Sequence, residues 1–121
     1  METNAFIYLE FIRKVMLALP GVTEGLSYGT PGFHVQKKFV SRLWENGEVL
    51  VVRTEKREKW LQYDPETFFI TEHYSDYPAV LVKLAKVEPA DLERLLIEAW
   101  LGRASKSLVK QYDEKYKNPK L

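Results

Sequence analysis

The sequence predicts an α+β domain, an antiparallel β-sheet meander packed by helices from both ends of the chain. Apolar residues recur at helical spacing near both termini, and the middle of the chain alternates at the strand period around an Asn46-Gly47 turn. The 121 residues suit one core, and 45% hydrophobic with 29% charged residues is a globular rather than a disordered mix. Helices segregated from such a meander bury their stripes by stacking on the sheet.

Each element follows from local chemistry. Thr3 or Asn4 caps a first helix with Phe6, Leu9, Ile12, Met16 and Leu19 inward and Glu10, Arg13 and Lys14 outward. Pro20-Gly21 stops it. Residues 22–32 are rich in glycine and turn formers and read as a loop, with a short extended piece at 26–28. Residues 32–36, 39–45 and 48–53 read as strands, separated by Gln36-Lys37-Lys38 and by Asn46-Gly47.

The Asn-Gly pair favours a type I′ turn, whose two central residues both take positive φ. That fixes a register in which Trp44 faces Val49, Leu43 faces Leu50, Arg42 faces Val51 and Ser41 faces Val52. Uninterrupted alternation then puts Phe39, Ser41, Leu43, Leu50 and Val52 on a core face. Val40, Arg42, Trp44, Val49, Val51 and Arg53 share the other. The last helices are expected to cover this second face as another core layer; left uncovered, it would be an exposed apolar patch.

Thr54 caps a short helix through Tyr63 that buries Trp60 and Leu61, and Asp64-Pro65 ends it. Residues 67–71 read as a strand, 73–78 as a loop and 79–87 as a long strand. Pro89 sits in the first turn of a helix whose stripe is Leu92, Leu95, Leu96, Ala99 and Trp100. Gly102 breaks it, and a last helix from Ser105 or Ser107 carries Leu108, Val109, Tyr112 and Tyr116. Residues 1–104 thus form the α+β domain. Residues 105–121 form a basic C-terminal helix and tail, with Lys106, Lys110, Lys115, Lys117 and Lys120, packed on the domain or extending it.

Composition excludes several function classes. Without cysteine there is no disulfide, thiolate zinc site or thiol nucleophile. A net charge of +1 announces no global field for nucleic acid or membrane. The apolar stretch 5–19 is broken by Glu10, Arg13 and Lys14 and falls short of a membrane span, and the start lacks a basic leader, so a cytoplasmic protein is expected. The glycines are too widely spaced for a phosphate-cradling loop, and Ser27, Ser41 and Ser75 lack a nucleophile elbow. His34 and His73 are the two histidines; Glu72, His73 and Asp76 share a loop without defined ligand geometry. The residues therefore predict no enzyme and no metal.

Leu19-Pro20-Gly21-Val22, Tyr28-Gly29, Phe33-His34-Val35 and Lys38-Phe39 resemble the opening of the MmcQ/YjbR family. Asp64-Pro65-Glu66-Thr67-Phe68-Phe69, His73-Tyr74, Tyr77-Pro78-Ala79-Val80-Leu81-Val82 and the helix at 91–100 are similar to one branch of it. The likeness covers residues 9–104 and departs in two places. Gln36 and Lys37 replace the family's hairpin glycines, and His73-Tyr74 stands where many members carry a histidine-tryptophan pair. The resemblance implies a CyaY-like fold, a double-wing DNA-binding protein, no enzymatic activity and no cofactor. The frataxin analogy raises iron, but the first helix offers only Glu2 and Glu10 beside Arg13 and Lys14, so iron is disfavoured.

On this reading Lys37, Lys38, Arg42, Arg53 and Arg57 contact phosphates of double-stranded DNA, and Trp44 gives apolar positioning. The alternative is a protein- or small-molecule-binding module using an apolar, Trp44-centred sheet face. Tyr28, Tyr74 and Tyr77 would then converge on a crevice from separate loops.

Overall fold

In the computed structural model, which describes residues 3–117, the chain runs α1 (Thr3–Met16), β1 (Val22–Ser27), β2 (Thr30–Val35), β3 (Lys38–Leu43), β4 (Val49–Arg53) and α2 (Arg57–Tyr63). It continues through β5 (Phe68–Phe69), a 3₁₀ turn (Glu72–Tyr74), β6 (Ala79–Lys83), α3 (Pro89–Leu101) and α4 (Lys106–Lys117). The side chains of Thr3, Asn4 and Lys117, and the whole of Lys120, fall outside what is described, so the roles expected of them do too. The strands form one antiparallel sheet in the order β1-β2-β3-β4-β6-β5. With its helices the domain is α+β, as the periodicity predicts.

Segment 22–32 corrects the sequence reading. It is not a loop but β1 and the start of β2, joined at Tyr28-Gly29 with φ of 55° and 83°. This is the positive-φ pair of a two-residue hairpin. Its polar composition hid the strand, because β1 is a sheet edge with much of its surface in water. Gln36 and Lys37 make a second such pair, at 51° and 71°, without glycine. The Asn46-Gly47 turn differs from expectation in the opposite sense. Gly47 alone is left-handed, at 72°, and the Asn46 side chain accepts a hydrogen bond from the Glu48 amide at 2.8 Å. The register nevertheless follows the sequence reading, with Ser41, Arg42 and Leu43 opposite Val52, Val51 and Leu50.

One bulge changes which side chains share a face. The β2–β3 register jumps between Phe33, opposite Ser41, and His34, opposite Phe39. Val40 is the extra residue, so the alternation slips by one there. Val40 turns into the helix-side core and Phe39 to the opposite face, reversing the expected assignment of both. The Phe39 carbonyl accepts a hydrogen bond from Arg103 Nε at 3.1 Å.

The main core lies between the sheet and the helices. Leu9, Ile12 and Met16 of α1 and Leu92, Leu95, Leu96, Ala99 and Trp100 of α3 pack on Phe33, Val35, Leu43, Leu50, Val52, Val80 and Val82. Trp60 of α2 and Phe68 join the same layer, and Leu108, Val109 and Tyr112 of α4 pack against it. Phe6 is exposed and Ala5 takes the inward place at the top of α1. The strand expected at 67–71 shortens to β5, and that at 79–87 ends at Lys83. The Trp100 indole donates to the Pro20 carbonyl at 2.9 Å, tying α3 to the turn after α1. All four helices therefore lie on one side, and the face carrying Val49, Val51, Ala79 and Leu81 is not covered by them. That overturns the expected second helical layer. β4 and β6 are apolar on both faces, and β2, with Phe33 and Val35 inward, sets which face receives the helices.

Candidate functional site

The uncovered face is floored by short or apolar residues and rimmed by rings. Val51, Leu81 and Ala79 are buried at its centre, with Phe39, Trp44, Phe69 and Tyr74 packed around them. Next to this patch a crevice of about 630 Å³ is lined by Ser27, Tyr28, His34, Phe39, Arg42, Val51, His73, Tyr74 and Tyr77. That volume lies within the range of small-molecule sites. The lining comes from the end of β1 with its turn, β2, β3, β4 and the stretch 73–77, so folding brings together five pieces of chain. Tyr28, Tyr74 and Tyr77 do converge here. His34 stacks edge-on to Phe39 at 5.9 Å between centroids, and His73 to Tyr74 at 4.8 Å.

Arg42 is the charged group of this crevice. Its side chain is only 11% exposed, and its guanidinium lies 5.2 Å from the centroid of the Tyr28 ring. Nη1 donates to Thr30 Oγ1 at 3.2 Å and to the Leu43 carbonyl at 3.3 Å. The Thr30 hydroxyl donates in turn to the Ser27 carbonyl at 3.0 Å, linking Arg42 to the hairpin turn. The nearest carboxylate, Glu45, is an exposed group 4.0 Å away. Tyr28 is 85% exposed although its φ is positive, a backbone state that costs a non-glycine residue about 1 kcal/mol.

The other expected site residues lie in different settings. Lys37 and Lys38 stand at the β2–β3 turn, and their side chains make no hydrogen bond or ion pair among the described residues. Arg53 pairs with Glu55 at 2.7 Å. Arg57 is turned inward. Its Nη1 donates to the carbonyls of Tyr74, Tyr77 and Ala79 at 2.8, 2.8 and 3.2 Å, and its Nη2 to that of Ser75 at 2.8 Å. Arg57 therefore pins the segment that supplies His73, Tyr74 and Tyr77 to the crevice. Trp44 stacks edge-on to Phe69 at 6.4 Å, beside the crevice and not in its lining, so the site centres on Arg42.

His34 and Phe39 are the residues of the lining that sequence reasoning undervalued. His34 alternates with the inward Phe33 and Val35, which already points it to the opposite face. Phe39 was hidden by the bulge. Among the described residues no group of three or more histidine, aspartate or glutamate side chains could hold a metal ion. No described helix is long and apolar enough to cross a membrane.

A second groove of about 480 Å³ lies between α2 and α3, lined in part by Lys59, Trp60, Tyr63, Arg94 and Glu98. Its polar groups already satisfy one another. Glu98 accepts from the Trp60 indole at 2.9 Å and from Lys59, while Asp91 accepts from Tyr63 at 2.9 Å and pairs with Arg94. Burial pushes the Glu98 carboxyl up, but the bonds from Lys59 and Trp60 outweigh it and hold the carboxyl below its ordinary range. The bond to Asp91 pushes the Tyr63 phenol up. These are structural contacts that hold α2 on α3.

Comparison with known proteins agrees with this architecture. Uncharacterized proteins of Mycobacterium bovis and Mycobacterium tuberculosis are 51% identical over 49 residues, 40% of this chain. The match spans 38% of the length of those relatives. The crystal structure of the Deinococcus radiodurans protein DR2400, a DUF419 domain, superposes with a TM-score of 0.69 at 20% identity. It covers 85% of this chain and 86% of that one, a likeness of fold. The YjbR family model matches residues 17–101, most of the sequence, and this chain belongs to the YjbR family.

Proposed function

We propose that the protein is a small non-enzymatic binding module whose ligand site is the Arg42 crevice on the open sheet face. The observation that carries the reading is the convergence of five chain segments on one ring-lined cavity opposite all four helices. Aromatic side chains at such a place supply apolar contact area, and a single well-held polar group orients the ligand. The Tyr28 ring over the Arg42 guanidinium and the Arg57 clamp on the segment that carries Tyr74 and Tyr77 both support it. The test is a fragment screen followed by amide chemical shifts of the labelled protein. Shifts gathered on Tyr28, His34, Phe39, Arg42 and Tyr74 are expected. Shifts confined to the α2–α3 groove, or none at millimolar fragment, would end the reading.

A second reading keeps double-stranded DNA as the partner, supported by Lys37 and Lys38 standing unpaired at a hairpin tip. Two lysines form a small electrostatic footprint, Arg53 and Arg57 are engaged elsewhere, and Arg42 is shielded within the crevice. A phosphate-driven complex weakens steeply as salt rises, and Lys37→Ala with Lys38→Ala should reduce that slope. No duplex binding at low salt removes this reading and leaves the crevice untouched.

A further inference from the structure

Resting on the crevice reading, we propose that the ligand is a planar aromatic carboxylate anchored by the side-on edge of Arg42. Both hydrogen bonds of that guanidinium leave from Nη1, so Nε and Nη2 have no hydrogen-bond partner among the described residues. Those two atoms form one edge of the planar group, the edge that receives the two oxygens of a carboxylate in parallel. The cation is mostly shielded from water, and its acidic neighbour is a solvated Glu45 at 4.0 Å. Arg53 and Arg13 differ sharply, each holding a carboxylate at under 3 Å. A shielded cation without a close counter-charge attracts an anion more strongly than a surface one does.

Charge and shape narrow the class. Arg42 is the one permanent cation in the lining, and no aspartate or glutamate lines the crevice. A singly charged acid is neutralised there, whereas a phosphate dianion would lack a second cation. Tyr28, His34, Phe39, Tyr74 and Tyr77 surround that charge with flat faces and edges. They suit a fused-ring body better than a flexible chain.

The probes are 2-naphthoate, its neutral isostere 2-naphthamide, and 2-naphthyl phosphate, followed by calorimetry and by the Arg42 Nε–H resonance. Naphthoate should bind at least ten times more tightly than the amide and shift that resonance. Arg42→Gln should bring the acid down to the level of the amide, and Arg42→Lys, which keeps the charge without the fork, should recover only part of the difference. Amide shifts of each variant establish that it is folded. Equal binding of acid and amide in the crevice would overturn the carboxylate assignment and leave the crevice reading standing, as would tighter binding of the phosphate. Failure of all three probes to move crevice resonances, when fragments from the screen do so, likewise rejects only the carboxylate. Failure of both probes and fragments rejects the site itself.

Discussion

Replacing Arg57 by alanine should lower the stability of the domain by about 3 kcal/mol. The guanidinium donates to four main-chain carbonyls of residues 74–79. The bonds to Tyr77 and Ser75 are exposed, and water can replace them at little cost. Those to Tyr74 and Ala79 are partly buried, and a bond from a charged donor contributes about 1.5 kcal/mol or more. The two together give about 3 kcal/mol. With a urea slope of about 2 kcal/mol per molar, the unfolding midpoint should fall by about 1.5 M. Hydrogen exchange should quicken first at Ser75 and Tyr77, whose amides bond within the clamped segment. An arginine that merely faced a phosphate would behave otherwise, since surface substitutions stay within about 0.5 kcal/mol. A midpoint unchanged in Arg57→Ala would refute the clamp and return Arg57 to the surface role its sequence position suggests.

Three further outcomes follow from the geometry. Lys37→Gly, at a φ of 71°, should stabilise the fold by about 1 kcal/mol and raise Tm by about 4 °C in a thermal melt. Gly21→Ala should destabilise it by about 1–2 kcal/mol on chemical denaturation, because φ is +76° and the new Cβ would sit 2.6 Å from Leu108 Cδ1 of α4. Glu98 is held below its ordinary value of 4.5 in the folded state, so its contribution is complete above that value and is lost as pH falls through the lower folded one. Glu98→Gln should therefore be less stable than the parent at neutral pH, with the gap closing on acidification. A gap that widened with acid would contradict the assignment.

Much of the architecture was legible because period and turn chemistry agreed. The stripe of α3 and the β3–β4 register are fixed by residues three or four apart on a helix and two apart on a strand. What failed needed information from distant parts of the chain. β1 holds Thr23, Glu24 and Gly25, a polar run that becomes a strand only because β2 pairs with it. The bulge at Val40 exchanges the faces of two apolar residues, and periodicity sees no difference between them. The Arg57 clamp spans 17 to 22 residues of sequence, so charge alone suggested a phosphate contact. The composition of the Arg42 face was readable, with its tryptophan, valines and arginines. Its openness was not, because β4 and β6 are apolar on both sides and only β2, through Phe33 and Val35, tips the choice.

Strands wetted on neither face also have a life before the fold closes. Val49 to Val52 and Ala79 to Val82 are uninterrupted β-prone apolar tetrads, the kind of segment that sticks to its own copies when a nascent or heated chain exposes it. Each tetrad is followed at once by a cation, Arg53 in one case and Lys83 in the other. Like charges at the ends of such runs repel a second copy in register, which places these two residues where gatekeepers of an unfolded chain would stand. Removing them should show up as turbidity during refolding sooner than as any change in the native protein.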